Sequence, residues 1–114
     1  MKYTISLKNN YEFRRLYSKG ESAVSPYEVV YCRKNGRDCN RLGFTVSTKL
    51  GKAVVRNRIR RRYKEIYRLN EDKLKKGYDI VVVARSKSKD AEFSRLEADF
   101  IRLCGKLDLC GDTI

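Results

Sequence analysis

The sequence predicts a mixed α/β sandwich in the order αβββαβα, with helices packed on a four-stranded sheet. Three observations lead there. Segments with helical periodicity alternate along the chain with β-branched and aromatic runs. One nearly continuous apolar run, Tyr78 to Ala84, suits a strand buried on both faces. And 114 residues at 41% hydrophobic content make one core, with too little chain for a second.

The elements follow in order. From Lys8 to Lys19, Phe13, Leu16 and Tyr17 stand at i, i+3 and i+4, one face of a short helix that Gly20 ends. Ser22 to Ser25 makes a short strand. Tyr27 to Arg33 is rich in strand-forming residues, and Pro26 limits where it begins. Asn35 to Asn40 is a turn cluster. In Arg41 to Ser47, Leu42, Phe44 and Val46 alternate with Gly43, Thr45 and Ser47, so these two strands read as an antiparallel hairpin. A basic helix spans about Ala53 to Arg68. Lys75-Lys76-Gly77 turns the chain into the Tyr78–Ala84 strand. A last helix covers about Ala91 to Lys106, with Asp90 as N-cap and Phe93, Leu96, Phe100, Leu103, Cys104 and Leu107 as core stripe. The whole chain, 1–114, is expected to be a single domain whose tail frays after about residue 106.

Charge narrows the function. There are 27 Lys and Arg against 14 Asp and Glu, a net +13 whose self-repulsion calls for an anionic partner. Nucleic acid, an anionic membrane surface or an acidic protein would each serve. Met1 to Ser6 leads into polar sequence, and the longest apolar run is too short to cross a bilayer, so a soluble, cytoplasmic protein is expected. The four cysteines lack C-x2-C spacing and the chain has no His, so no zinc site is expected. A Cys32–Cys39 bridge is conceivable across the hairpin, but a reducing compartment favours free thiols.

The charge concentrates between Lys49 and Arg68, where nine cations meet one anion, Glu65. At about 100° per residue, Val55, Ile59, Tyr63, Ile66 and Tyr67 form one apolar stripe. Asn57, Arg61, Lys64 and Arg68 fall opposite, and Arg56, Arg58, Arg60 and Arg62 flank the stripe. Arginine outnumbers lysine here, and guanidinium both forks onto phosphate and stacks on bases. A membrane helix would show a wider apolar face, so nucleic acid is the favoured partner. The Lys49-Leu50-Gly51-Lys52 loop adds backbone N–H groups beside a helix N-terminus, a seat for phosphate. The alternative is a merely solvated charged face, which like charges at i, i+4 argue against. A protein nuclease is disfavoured, because no His is present for acid–base work and acidic residues such as Glu71-Asp72 read as solvated loop.

Residues Lys49 to Arg61, K-L-G-K-A-V-V-R-N-R-I-R-R, resemble the signature of the protein subunits of bacterial ribonuclease P: K-x-G-x-A-V-x-R-N-R-x-(K/R)-R. Phe13-x-x-x-Tyr17-x-x-Gly20, the strand ending near Tyr31, Leu42 to Ser47 and Asp79 to Arg85 fall in that family's order. The resemblance implies a ribosomal protein S5 domain 2-like fold with a left-handed βαβ crossover, against the usual hand. It implies a non-catalytic subunit of an endoribonuclease whose catalytic subunit is RNA and which removes the 5′ leader of precursor tRNA. Its partners would be that RNA and precursor tRNA, with no membrane and no DNA. No cofactor would bind the protein alone, while the RNA subunit requires Mg2+. By the resemblance, Arg56, Asn57, Arg58, Arg60 and Arg61 face the catalytic RNA, with Lys49, Lys52 and Lys64 beside them. Phe13, Tyr17 and Tyr31 line a leader cleft closed by Ser47 and Lys49. Tyr17 stands where the family more often has Phe, and it keeps the stacking face. Read without the family, Phe13 and Tyr17 look like core. A ribosomal-type structural RNA-binding protein is the alternative of similar size and charge.

Overall fold

The computed structural model describes residues 1–111. Its elements are β1 (Thr4–Ser6), α1 (Asn10–Lys19), β2 (Glu21–Val24), β3 (Glu28–Lys34), β4 (Asn40–Thr45), α2 (Ala53–Asn70), β5 (Tyr78–Ala84) and α3 (Phe93–Lys106). The strands form one mixed sheet in the order β1-β4-β5-β3-β2. The αβββαβα core is as the sequence predicts. A short fifth strand, β1, is added at the edge, parallel to β4.

The apolar run sits at the centre. β5 pairs antiparallel with β3 and parallel with β4, so both its neighbours and both its faces are covered. This corrects the expected hairpin: β3 and β4 are consecutive in sequence but lie on opposite sides of β5. The turn cluster joins them across that strand. Because Ile80, Val81 and Val82 have no polar side to show, the central position is the one that buries them all.

The two faces are unequal. On one, α2 and α3 pack through Ile59, Tyr63, Ile66, Tyr67, Leu96, Phe100 and Leu103 against Val30, Cys32, Leu42, Ile80 and Val82. On the other, α1 covers a small cluster of Leu7, Leu16 and Val81, with Phe13, Tyr31 and Val83 half-buried around it. Arg41 fixes α1 to this face. It donates two 2.7 Å bonds to Asp79 and pairs with Glu12 of α1, and Asp79 above all holds the guanidinium charged.

A buried acid lies in the larger core. Glu28 is 0% exposed. Its Oε2 accepts from the Tyr63 hydroxyl at 3.2 Å, and its Oε1 has no partner. Burial first, then neighbouring Asp99, pushes its carboxyl up to about 9, so it is a neutral acid at pH 7. Asp99 accepts from Ser25 and Arg102.

Three further expectations are corrected. Asp90 does not cap α3. It ends a short 3-10 turn (Ser86–Asp90), and Glu92 is the N-cap, with no side-chain bond. The chain past Lys106 does not fray where it is described. Leu107 and Leu109 are buried, and Lys75 and Gly111 donate backbone bonds to Leu109 and Lys73. The expectation for 112–114 lies outside the described residues. Glu71 is not solvated loop but buried. All four cysteines are free thiols, and burial pushes Cys32 up to about 11, which leaves it unreactive.

Candidate nucleic-acid interface

Helix α2 buries the stripe read from its periodicity: Ile59, Tyr63, Ile66 and Tyr67 are buried and Val55 is half-buried. Its start depends on Gly51, at φ +146, where a Cβ would lie 3.2 Å from Val55. Arg56 closes this turn by donating to the Gly51 carbonyl at 3.1 Å. Lys52 is the exposed N-cap.

The flanking cations divide into two sets. Arg58 and Arg62 reach toward the 3-10 turn before α3, donating to the carbonyls of Lys89 (3.3 Å) and Ala91. Arg60, Arg61 and Lys64 turn the other way and line a groove beside β1. Asn57 accepts from Arg60 at 2.9 Å, which orients that guanidinium. Of the eight expected residues, six lie on α2 but not on one flank, Lys52 caps the helix, and Lys49 lies on the turn before it.

The aromatic residues meet on the α1 face. The Tyr17 and Tyr31 rings pack edge-to-face with centroids 5.0 Å apart, and the Tyr17 hydroxyl hydrogen-bonds Thr45 Oγ1 at 2.6 Å. Tyr17 stays 39% exposed. Phe13 lies over Gly43, where a Cβ would come within 2.5 Å of its ring, so the glycine admits the aromatic. Ser47 and Lys49 stand apart. They are exposed on the turn after β4, where Ser47 Oγ accepts from the Lys49 amide, and they line neither groove. That they close the cleft has no support in the geometry.

Sequence reasoning missed Arg14, Phe44 and Thr45, which line the groove with Phe13, Tyr17 and Arg60. Arg14 follows Phe13 directly, and Thr45 lies on the same strand face as Gly43. Glu71 was missed as well. It accepts from the Lys2 and Tyr3 amides (2.8 and 3.0 Å) and the Thr4 hydroxyl (2.6 Å), so it pins β1 beside α2. Burial would raise its carboxyl, but these bonds outweigh burial and hold it below the ordinary range.

Among the described residues there is no cluster of His, Cys, Asp or Glu able to hold a metal, and no helix is long and apolar enough to cross a membrane. The buried Glu28–Asp99 pair is sealed from solvent and cannot meet a substrate. Cations and half-open aromatic rings are what the surface offers, and they define a protein of the RNA-binding α+β class.

Comparison with known proteins gives the family. The family model "Ribonuclease P" matches residues 1–108. The ribonuclease P protein component of Alkaliphilus oremlandii is 40% identical over 100% of both chains. That of Clostridioides difficile is 46% identical over 93% of this chain and 94% of its own. Among solved structures, the RNase P protein of Staphylococcus aureus superposes with a TM-score of 0.84 at 33% identity, covering 93% of this chain and 97% of that one. The Thermotoga maritima RNase P protein gives 0.79 at 36%, covering 85% and 92%. The chain belongs to the ribonuclease P protein family, as the non-catalytic subunit that assists cleavage of the 5′ leader from precursor tRNA.

Proposed function

We propose that the molecule divides its two RNA partners between two surfaces. The arginine helix α2 docks on the catalytic RNA through Arg56, Asn57, Arg58, Arg60, Arg61 and Lys64, with Lys49 and Lys52 at its N-terminal turn. The α1 face, with Phe13, Tyr17 and Tyr31, holds the leader of precursor tRNA. The magnesium belongs to the RNA.

One observation carries this reading. The half-open aromatic row lies on the α1 face of the sheet and the cationic helix packs on the other face, and the two meet at the β4 edge, where Arg60 reaches the groove of Phe13 and Tyr17. Guanidinium groups suit a folded RNA's phosphates, and edge-on aromatic rings suit an unstacked single strand.

Reconstitution with the catalytic RNA tests the partition. Arg58→Ala removes one exposed cation and one backbone contact. It should weaken assembly and flatten the slope of log K against log salt by about one phosphate equivalent. Tyr31→Ala should leave assembly intact and weaken precursor binding roughly tenfold. If both variants lose the same step, the two-surface division is wrong.

A further inference from the structure

We propose that the end of the sheet where β3 stops is a further docking surface, on which Arg15, Lys19, Arg33 and Lys34 hold the phosphate backbone of a paired RNA segment. This rests on the RNA-binding reading above and adds a surface that neither α2 nor the aromatic row supplies.

Position separates it from the sites already described. β5 runs antiparallel to β3 and parallel to β4, so Lys34 stands beside Tyr78, at the end where β4 and β5 begin. β4 leaves the sheet at the other end and leads into α2. Six residue steps along β3 put about 20 Å between the two ends. A segment held here does not displace one at the start of α2.

The fold gathers these cations from two elements. Gly20 ends α1 hard against β3: a Cβ there would lie 2.9 Å from the Cys32 carbonyl oxygen. That approach sets Arg15 and Lys19 beside the last two residues of β3. Successive strand side chains point to opposite faces. Cys32 lies in the core under α2 and α3, so Lys34 leans to that face and Arg33 to the α1 face. The rim is cationic on both sides of the strand. All four side chains are exposed, and none forms an ion pair among the described residues. Arg37, on the turn that follows, is exposed as well. The acids nearby do not cancel this charge. Glu12 and Asp79 are held by Arg41, and Asp108 by Lys75. Exposed Glu21 and Asp38 remain against five cations.

The shape suits phosphates. A notch of about 230 Å³ lies between Arg15 and Arg33, and one of about 330 Å³ between Lys19 and Lys34. The first is smaller than the clefts that bury a drug-sized ligand. The Tyr11 ring is exposed on this side, but the Arg15 guanidinium lies over it, 5.8 Å from its centroid, so it offers no open face to a base. A paired segment needs no such face, because its contacts run through phosphates and 2′-hydroxyls. An acidic protein is the rival partner. Protein interfaces carry an apolar centre, and none of the exposed large aliphatic residues lines either notch.

The paired segment can belong to the catalytic RNA or to precursor tRNA, and the holoenzyme distinguishes them. The combined variant Arg15→Gln, Lys19→Gln, Arg33→Gln, Lys34→Gln should weaken either assembly or precursor binding about tenfold or more. The slope of log K against log salt for that step should flatten by about three to four units, roughly 0.9 for each phosphate lost. Its thermal melt should match the parent's, because all four side chains are exposed. In a Cys39→Ser, Cys110→Ser background the two remaining native thiols are buried, and Ser18→Cys, exposed on α1 between Arg15 and Lys19, carries iron–EDTA. Hydroxyl radicals released there should cut a paired segment of the same RNA. Affinities within twofold of the parent at an unchanged salt slope overturn the surface in favour of an acidic protein. Cuts confined to unpaired RNA overturn it in favour of a single strand. A flattened slope with no cut overturns it too, since the charges then act only at a distance. If Arg58→Ala is silent as well, the RNA-docking reading itself fails; if the combined variant alone is silent, only this surface does.

Discussion

The two faces of the sheet differ in how completely they are closed. Toward α2 and α3 the chain buries large side chains such as Tyr63, Tyr67 and Phe100, with ring contacts inside the core. Toward α1 the buried apolar cluster is just Leu7, Leu16 and Val81 among the described residues, and the aromatic residues stay half open. Stability is concentrated where two helices cover the sheet. The face covered by one short helix keeps apolar surface available for a partner, at little cost to a fold that does not depend on it.

Mutations that hit one face and spare the other test this contrast. The largest effect is expected from Phe100→Ala, which empties the closed face. Urea titration should show a loss of about 3–5 kcal/mol, with leader affinity unchanged in the fraction that remains folded. A loss below about 1 kcal/mol would mean that the closed face does not dominate stability.

The pH dependence should also belong to the closed face. Folded Glu28 holds its proton up to about 9, whereas the unfolded side chain releases it near its ordinary 4.5. Between those values the folded state binds the extra proton, so stability falls as pH rises. Glu28→Gln removes this dependence. Relative to the parent, the variant should gain up to about 1.4 kcal/mol per pH unit through that window, and the difference in pH slope should vanish below pH ~4.5. Parallel stability–pH curves would contradict a buried neutral acid.

The smallest stability effect is expected at Arg61→Ala. This exposed residue should change unfolding free energy by less than about 0.5 kcal/mol, yet reduce the salt slope of RNA binding by nearly one unit. A thermal melt beside a salt titration separates the two readouts.

Much of this was legible in the sequence because it is local. The α2 stripe follows from spacing within one helix, and β5 declares itself by lacking polar residues. What was not legible depends on partners far along the chain. A three-residue strand such as β1 has too little pattern to register, and its anchor, Glu71, lies 67 residues from Thr4. The false hairpin came from treating neighbours in sequence as neighbours in the sheet. The division of the cations was hidden too: periodicity placed Arg58 and Arg60 both beside the stripe, and only the fold puts the carbonyls of Lys89 and Ala91 on one flank and β1 on the other. The aromatic residues Phe13, Tyr17 and Tyr31 could be named as a binding row only through the resemblance, since the i, i+4 spacing of Phe13 and Tyr17 by itself points to core.

The central position of β5 also has a consequence for assembly of the fold. β3 and β4 cannot join until Tyr78–Ala84 has entered between them, so no early local pairing can shorten that search. The β2–β3 hairpin can form alone, but the rest of the sheet waits on contacts distant in sequence, the kind that slow folding. During synthesis the arginine-rich helix emerges before the strand that completes its floor. In that interval its own charge is what keeps the unfinished apolar stripe from meeting another copy of itself.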